Sequence, residues 1–292
     1  MKDKNRKLPR IAGFAMGGVR KPDEAARHPG EQDADGALAP AGATIAVYSV
    51  KGGVGKTTFA ANLAWCSSAM TGHRTLLWDL DAAGGSGFLY DLQPQSTHLV
   101  EEVFTRGRAV AKLIQHTSYA GLDVLPADDS IRALDSRLLQ IGKRKRLARL
   151  TEELTQHYPR VVLDCPPVMN ELSAQIIRAA DLVIVPLPPS PLSARALDLV
   201  VREIAGAGKR HPPILPVLSM LDLRRGLHRE VRAAQPEWPS VPYASVVEQG
   251  AVQRQPVGVL SPKSAAAQAF AGLWSAIERK LQGGRAGGFA EL

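Results

Sequence analysis

The residues whose types and spacing are best suited to ligand chemistry form one short run, Lys-Gly-Gly-Val-Gly-Lys-Thr-Thr at 51–58. An apolar run at 44–50 precedes it and a helix-like stretch at 59–70 follows it, a context typical of a phosphate-binding loop. Glycines let successive backbone N–H groups face phosphate oxygens, and the start of the next helix adds its positive dipole. The sequence therefore predicts a nucleotide site formed by Gly52, Gly53, Val54, Gly55, Lys56, Thr57 and Thr58.

Two side chains of this loop are suited to phosphate and metal chemistry. The ammonium of Lys56 is expected on the β- and γ-phosphates, and the Thr57 hydroxyl is expected to complete the shell of a Mg²⁺ ion. The strict pattern G-x4-G-K-[ST] is not met, because Val50 occupies its first glycine position. A second lysine, Lys51, opens the loop instead, which places an extra cation at its outer edge.

Three aspartates follow apolar runs and are candidates for metal and water chemistry. Asp79 and Asp81 end the run LLWDLD, and period-two alternation points both to the same side of a strand. Asp164 ends the run RVVLD, the Walker B form, whose carboxylate holds Mg²⁺ opposite the Thr57 hydroxyl. A surface turn is the alternative interpretation of each aspartate. Ligands bind at the carboxyl ends of strands in open α/β sheets, so these carboxylates are predicted to lie beside the loop.

From Thr44 onward, strand-like runs alternate with amphipathic helical stretches. This alternation predicts an α/β fold with a mostly parallel, doubly wound sheet and helices on both faces. The strands are predicted at 44–50, 74–80, 121–125, 160–164, 182–187, 214–220 and 241–245. The helices are predicted near 57–70, 99–115, 130–157, 171–179, 193–207, 225–234 and 264–281.

These elements predict one domain at 43–282. Residues 1–42 are rich in Lys, Arg, Gly, Pro, Asp and Glu and are predicted to be a disordered basic leader and linker. Residues 283–292 are predicted to be a flexible tail. Two interpretations of the leader stay open, a solubilising segment and an arm that binds a partner or nucleic acid.

The composition narrows the class of protein. With 292 residues, 45% hydrophobic and 22% charged, the chain is typical of a soluble globular protein. Its apolar runs are shorter than the roughly 18 residues of a membrane span, and its two cysteines are too few for a disulfide framework. We therefore expect a cytoplasmic protein. A net charge of +8 permits contact with nucleic acid, while 5% aromatic residues argue against a base-stacking platform.

Several stretches together resemble the ParA/MinD family of deviant-Walker P-loop ATPases, and more closely its ParA branch. They are KGGVGKTT, LLWDLDAAG, GLDVLPA, RVVLDCPP, AADLVIVPLPPSPLSARAL, VLSMLD and VPYASVVEQGAV followed by QPV and SPKSAAAQAFAGLWSAI. The likeness covers about 43–282 in the family's order. The loop with its extra lysine is highly specific, and the later stretches carry weight jointly.

The resemblance implies an ATP hydrolase that converts ATP and water to ADP and phosphate, slowly and under stimulation by a partner. Its cofactors would be ATP and Mg²⁺. Lys51 matches the family's signature lysine, which reaches the phosphates of the other subunit in a dimer formed with ATP. Asp81 matches the residue that orients the attacking water, and Asp79 and Asp164 match the acids on the magnesium side. Asn62 matches a family asparagine, with a role in local packing or polar support.

The resemblance also implies non-specific DNA binding on the nucleoid and a ParB-like or adaptor partner that stimulates hydrolysis. The preferred DNA-binding residues are Arg224, Arg225, Arg229 and Arg232, whose spacing lets much of the set share one helical face. Alternative basic groups are Lys143–Arg146 with Arg149, and Arg254 with Lys263. The chain departs from the family after Asp81, where Ala82–Gly85 replaces Pro-Gln-Gly-Asn and predicts a more flexible loop.

Three functions are compatible with these features of the sequence. The preferred one is an ATP-dependent dimerisation switch that binds DNA and partitions or positions a plasmid, a chromosome region or a protein assembly. The second is a MinD-like ATPase at the membrane, which needs a terminal amphipathic helix. In 264–281, Phe270, Leu273, Trp274 and Ile277 favour a packed helix instead, and we expect no membrane association. The third, an iron–sulfur or metabolic relative, is weakly supported by the positions of Cys66 and Cys165.

Overall fold

The computed structural model describes residues 41–94, 100–105, 110–141, 145–206 and 211–283. Nearly all of the predicted leader and tail lie outside these residues, as do Lys143 and Arg144 of the first alternative basic group. The domain boundaries therefore stay predictions.

Eight strands form one sheet in the order β3-β4-β2-β5-β1-β6-β7-β8. All neighbouring pairs are parallel except β3 with β4, which confirms the predicted mostly parallel sheet. The strands are β1 Ala43–Val47, β2 Thr75–Asp79, β3 Gln115–His116, β4 Leu122–Leu125, β5 Arg160–Asp164, β6 Leu182–Leu187, β7 Ile214–Leu221 and β8 Ser240–Pro242.

Eleven α-helices connect the strands in the described part of the chain. They are α1 Lys56–Thr71, α2 Gly85–Leu89, α3 Val100–Thr105, α4 Ile131–Ile141, α5 Arg146–Leu154, α6 Glu171–Ala179, α7 Pro191–Gly206, α8 Gly226–Ala234, α9 Ser245–Gln253, α10 Val257–Leu260 and α11 Ala265–Gly283. A short 3-10 helix at Val110–Lys112 follows α3.

The sheet separates two apolar clusters, one on each face. Because alternate side chains of a strand point to opposite faces, Ile45 joins the cluster with α1 and α11, while Ala46 joins the cluster with α4 to α7. On the second face, Trp78 packs on Phe104 with ring centroids 5.8 Å apart, and its indole Nε1 has no hydrogen-bond partner in the part of the chain that the structure describes. Central strands covered on both faces explain why their sequences are almost continuously apolar.

A buried ion pair closes the edge of the sheet where the parallel strands begin. Arg160, at the start of β5, contacts both carboxylate oxygens of Glu278 on α11, with N–O distances of 2.6 and 2.7 Å. Both side chains are less than 10% exposed. Arg160 also donates to the carbonyl of Ala41. This pair therefore links the central strand to the last helix at the edge opposite the predicted nucleotide site.

The prediction of one helix over 99–115 is wrong. The helix ends at Thr105, and Gln115–His116 instead forms an antiparallel edge strand with β4. The His116 ring Nδ1 lies 2.7 Å from the Asp123 carboxylate, so a tertiary contact holds this strand. A strand of two residues is too short to show an alternation of apolar and polar side chains, so the sequence pattern does not predict it.

Two other boundaries differ from the predictions. The predicted helix at 130–157 is described as two helices, α4 and α5, with 142–144 outside the described residues. The predicted strand at 241–245 ends at Pro242, which has no N–H to donate to a sheet, and α9 begins at Ser245. Helices α2, α9 and α10 are short or weakly periodic and were not predicted.

Candidate nucleotide site

The glycine-rich loop lies where the sequence predicts, between β1 and α1. Backbone hydrogen bonding continues past β1, since Tyr48 N–H donates to Ile184 O over 2.9 Å. Gly55 then adopts φ +95° as the N-cap of α1, and its carbonyl accepts the N–H of Phe59. A side chain is strained at that φ, so glycine is required for the loop to turn into the helix. The start of α1 is thereby available to an anion.

Lys56 is the first residue of α1 and is 7% exposed. Within the described residues, its ammonium forms no hydrogen bond or ion pair. Burial lowers the pKa of Lys56, and the negative charges of Asp164 and Asp81 oppose that decrease. A mostly buried lysine whose ammonium has no bonded counter-charge is costly, so this position favours an anionic ligand such as a polyphosphate.

Asp79 and Asp164 lie side by side at the ends of β2 and β5, where they are register partners. Both side chains are fully buried. Burial raises the pKa of Asp164 to about 6, against the effect of the nearby Thr57 and Ser86 hydroxyls. The pKa of Asp79 is also raised, first by burial and then by the charge of Asp164. Two adjacent carboxylates of this kind favour either a proton or a cation.

The oxygens of Asp164 differ in their contacts. Its Oδ2 accepts the Ser86 hydroxyl over 2.9 Å, whereas its Oδ1 is buried and has no hydrogen-bond partner among the described residues. Thr57 lies close enough for its hydroxyl to affect this carboxyl group. An unpaired buried carboxylate oxygen beside a hydroxyl fits Mg²⁺, which takes few protein ligands together with waters and phosphates.

Asp79 has a different environment from that of Asp164. Its Oδ1 accepts the N–H of Asp81 over 3.1 Å, and its Oδ2 accepts those of Ser86 and Gly87 over 2.9 and 3.4 Å. Both oxygens are thus occupied by the backbone of the following loop. Asp79 is predicted to be an acid on the magnesium side, and in this structure its carboxylate holds the loop in place. The carboxylate oxygen without a partner among the described residues belongs to Asp164.

Asp81 lies in the same loop and is partly exposed. Its Oδ1 accepts the N–H of Ala83 over 3.1 Å. The carboxylate faces the site closely enough to act on the pKa of Lys56. This position is compatible with the predicted role in orienting water, which stays a prediction.

The backbone conformation at Gly84 and the close packing at Gly85 explain why glycines follow Asp81. Gly84 adopts φ +66° before α2. A Cβ added to Gly85 would lie 2.8 Å from the Thr57 Cγ2 atom, closer than carbon atoms pack. The loop backbone therefore contacts the side chain predicted to bind metal. The greater flexibility predicted for this loop remains untested.

Lys51 is partly exposed at the outer edge of the loop, as its position in the sequence predicts. Its ammonium lies 3.4 Å from the hydroxyl of Ser193, at the start of α7, and it forms no ion pair with a described residue. The Ser190 hydroxyl in turn lies 2.8 Å from that of Ser193. Among the described residues, the Lys51 ammonium therefore contacts a neutral hydroxyl and no carboxylate. It would not have to break an ion pair with them in order to bind another group.

Asn62 has the polar support role that was predicted. Its Nδ2 donates to Thr58 O, and its Oδ1 accepts the N–H of Val257, both over 2.8 Å. The side chain is buried and joins the first turn of α1 to the start of α10. This confirms a structural role close to the loop.

The preferred basic residues after β7 are mostly engaged in local contacts. Arg224 forms a two-bond ion pair with Asp222, with N–O distances of 2.8 and 3.0 Å. Arg229 donates to two backbone carbonyls, and Arg232 donates to Trp238 O. Exposed Arg225 makes no such contact in the described residues. The set shares one surface, and DNA binding would have to compete with these bonds.

The alternative basic groups are partly engaged as well. Arg254 forms an ion pair with Asp91 and lies over the Phe88 ring at 4.7 Å. Arg146 donates to Val103 O, while Arg149 and Lys263 are exposed. None of these groups is favoured by the geometry over Arg225 and its neighbours.

The last helix is packed rather than free. Its predicted apolar face, Phe270, Leu273, Trp274 and Ile277, is at most 1% exposed and covers α1 and the sheet. This confirms the interpretation of α11 as a packed helix. Among the described residues, no helix is long and apolar enough to cross a membrane.

Sequence reasoning missed two side chains of the site, Ser86 and Ser193. Each is at most 2% exposed and bonds a predicted site residue, Asp164 or Lys51. A single serine in a glycine-rich or proline-rich stretch carries no signal by itself. Only the meeting of distant segments reveals its role.

The chain is similar to known proteins in sequence and in fold. A family described as an AAA domain matches residues 42–215. The chain is 33% identical over 177 residues to a putative replication protein A of Sinorhizobium fredii, covering 56% of this chain and 43% of that protein. It therefore spans less than half the length of that relative.

Two further proteins match over more of their length. The chain is 33% identical over 196 residues to the chromosome partitioning protein ParA of Caulobacter vibrioides, covering 64% of this chain and 73% of that protein. The structure of cobyrinic acid a,c-diamide synthase from Mycobacterium smegmatis with bound ATP analog and magnesium is similar, with a TM-score of 0.70 and 25% identity. That match covers 84% of this chain and 97% of the synthase.

Proposed function

This chain belongs to the ParA/MinD family of P-loop ATPases, which includes partition and positioning proteins, and from that premise we propose that it is an ATP-dependent dimerisation switch. In this proposal, ATP and Mg²⁺ bind at the loop, two subunits associate, and the dimer binds DNA without sequence preference. Hydrolysis, stimulated by a ParB-like or adaptor partner, ends the bound state. The cargo is a plasmid, a chromosome region or a protein assembly, and the protein acts in the cytoplasm on the nucleoid.

The observation that carries the nucleotide part joins two features of the described residues. Lys56 is a mostly buried residue whose ammonium has no bonded counter-charge among them, and Asp164 has a buried carboxylate oxygen without a partner among them. Lys56 favours the phosphates, and Asp164 with Thr57 fits the cation. A Mg²⁺ ion held by Asp164 and Thr57 would supply positive charge that neutralises the phosphates. The loop N–H groups and Lys56 orient the phosphates, and Asp81 orients water for attack.

The proposal that two subunits are needed rests on Lys51. Its ammonium is at the loop's outer edge, where the Ser193 hydroxyl is its one hydrogen-bond partner among the described residues. A cation in this position can stabilise charge that develops on the phosphates of the other subunit, as arginine fingers do elsewhere. Dimerisation would then make hydrolysis dependent on assembly.

The DNA part of the proposal is supported by net charge and by the exposed basic surface after β7. Binding through phosphate contacts depends steeply on salt concentration, because it releases counterions. Arg225 is the residue of this set with no local bond among those described, so it is available for such a contact.

The test is co-sedimentation with DNA and with anionic liposomes, with ATP, with ADP and without nucleotide. We expect ATP-dependent retention on DNA in the wild-type protein and its loss in Lys51→Ala. Lys112→Ala, which removes an exposed lysine away from the loop, is the matched control. Retention on liposomes and not on DNA would support the MinD-like alternative and refute this proposal.

Hydrolysis is tested separately with Asp81→Ala. We expect turnover to fall while binding of a fluorescent nucleotide is kept, because Asp81 is proposed to orient water and not to hold phosphate. Unchanged turnover would remove Asp81 from the mechanism.

A further inference from the structure

Ser86 contacts both strand-end carboxylates at once. Its hydroxyl donates to Asp164 Oδ2 and its backbone N–H donates to Asp79 Oδ2, each over 2.9 Å. The residue is fully buried. One serine thus joins the ends of β2 and β5 through two different groups.

The backbone contact belongs to a larger arrangement around Asp79. The N–H groups of Asp81, Ser86 and Gly87 all donate to its carboxylate. The turn between them is closed by the Gly84 N–H, which donates to Asp81 O over 2.9 Å. The conformation of the loop from 81 to 87 is therefore organised around Asp79.

The hydroxyl contact determines the orientation of Asp164. A carboxylate with one oxygen held by a donor cannot rotate without breaking that bond. Because Ser86 holds Oδ2, the oxygen that stays available is Oδ1, which is buried without a partner in the described chain. Groups that orient a metal-binding side chain in this way contribute strongly to metal affinity.

We propose that Ser86 is a positioning residue that presents Asp164 Oδ1 to the cation and links cation binding to the conformation of the loop carrying Asp81. When a cation binds at Asp164, the Ser86 bond holds the loop against the same carboxylate. Through the turn at 81–84, Asp81 is then fixed relative to the phosphates. This inference rests on the proposed function, because it assigns the coupling to a site that binds nucleotide and Mg²⁺.

The test compares the wild-type protein with Ser86→Ala, which removes the hydroxyl and keeps the N–H bond to Asp79. Ser67→Ala is the matched control, because Ser67 is equally buried and its hydroxyl bonds the Thr75 hydroxyl and no carboxylate of the described residues. The first measurement is fluorescent ADP binding as a function of Mg²⁺ concentration. We expect the concentration for half-maximal enhancement to rise about tenfold or more in Ser86→Ala and to stay unchanged in Ser67→Ala.

The second measurement is amide hydrogen exchange of the 81–87 segment with ADP, before and after Mg²⁺ addition. In the wild-type protein and in Ser67→Ala, Mg²⁺ is expected to slow exchange in this segment. In Ser86→Ala the slowing should be lost while ADP remains bound. If Ser86→Ala does not fold, Ser86→Cys keeps a weak donor at the same place and should give an intermediate Mg²⁺ dependence.

The outcomes separate the two proposals. Wild-type Mg²⁺ dependence and wild-type exchange in Ser86→Ala, or in Ser86→Cys if that variant is used, would overturn the role of Ser86 and leave the proposed function intact. Failure of the wild-type protein to bind nucleotide with Mg²⁺ would overturn the proposed function and this inference together.

Discussion

The paired carboxylates should make the metal-free protein less stable as pH rises, and Asp164→Asn should remove that effect. Burial raises the folded-state pKa of Asp164 to about 6, whereas an aspartate in an unfolded chain has a pKa near 3.9. The folded protein therefore binds this proton more tightly than the unfolded chain does. Stability falls between about pH 4 and pH 6 and stays lower above that range.

The size of the effect follows from the shift. About two pKa units correspond to about 3 kcal/mol in the free energy of unfolding. Asp79 contributes in the same direction, because its pKa is also raised by burial and by the charge of Asp164. Asp164→Asn removes the charge of Asp164 and its repulsion of Asp79. The free energy of unfolding at pH 7.5 should therefore rise by an amount that approaches about 3 kcal/mol.

The assay is urea denaturation of both proteins between pH 4.5 and pH 8, with EDTA and without nucleotide. The contributions of most other titrating groups cancel in the difference between the unfolding free energies of the variant and the wild-type protein. We expect this difference to favour the variant increasingly up to about pH 6 and to change little above it. Asp129→Asn, which removes a highly exposed carboxylate outside the site, controls for the loss of one negative charge.

A difference that is independent of pH, or that favours the wild-type protein as pH rises, would refute the burial argument for Asp164. With Mg²⁺ and ADP present, the sign should reverse, because the carboxylate then has a cation. Ligand that binds only the folded state stabilises it by mass action, and the variant should gain less from it.

Three further changes test the structure. Glu278→Ala leaves the buried Arg160 guanidinium without its partner and should lower the free energy of unfolding by about 3–5 kcal/mol in urea. Gly85→Ala places a Cβ against Thr57 and should lower Mg²⁺-dependent ATP hydrolysis about tenfold or more with little change in unfolding. Asn62→Ala removes two hydrogen bonds of a buried residue and should cost about 1–3 kcal/mol in the same denaturation assay.

Each of these has a control or a contradicting result. Gly272→Ala, in an open position of α11, should stabilise the protein by about 0.5–1 kcal/mol, which separates steric contact from backbone effects. Full hydrolysis by Gly85→Ala would show that the loop does not depend on this contact. An unchanged free energy of unfolding in Glu278→Ala or Asn62→Ala would show that the groups left without a partner reach water.

The sequence predicts the centre of the site well because its chemistry is local. Lys51–Thr58 and the strand-end aspartates are read from neighbouring residues, and the apolar runs of β1, β2 and β5 bring them together in a parallel sheet. The same reasoning fails where the decisive contact is distant in sequence. The roles of Ser86, the strand at Gln115–His116 and the local bonds of Arg224 arise only when separate segments meet.

The burial of Trp78 gives the molecule an optical consequence. Trp78 directly precedes Asp79 in β2, and its ring N–H lies in an apolar layer without a partner among the described residues. The emission of a tryptophan in such a layer responds to the local electric field rather than to solvent. A protein with Trp78 as its only tryptophan would report the packing of this apolar layer without any attached dye.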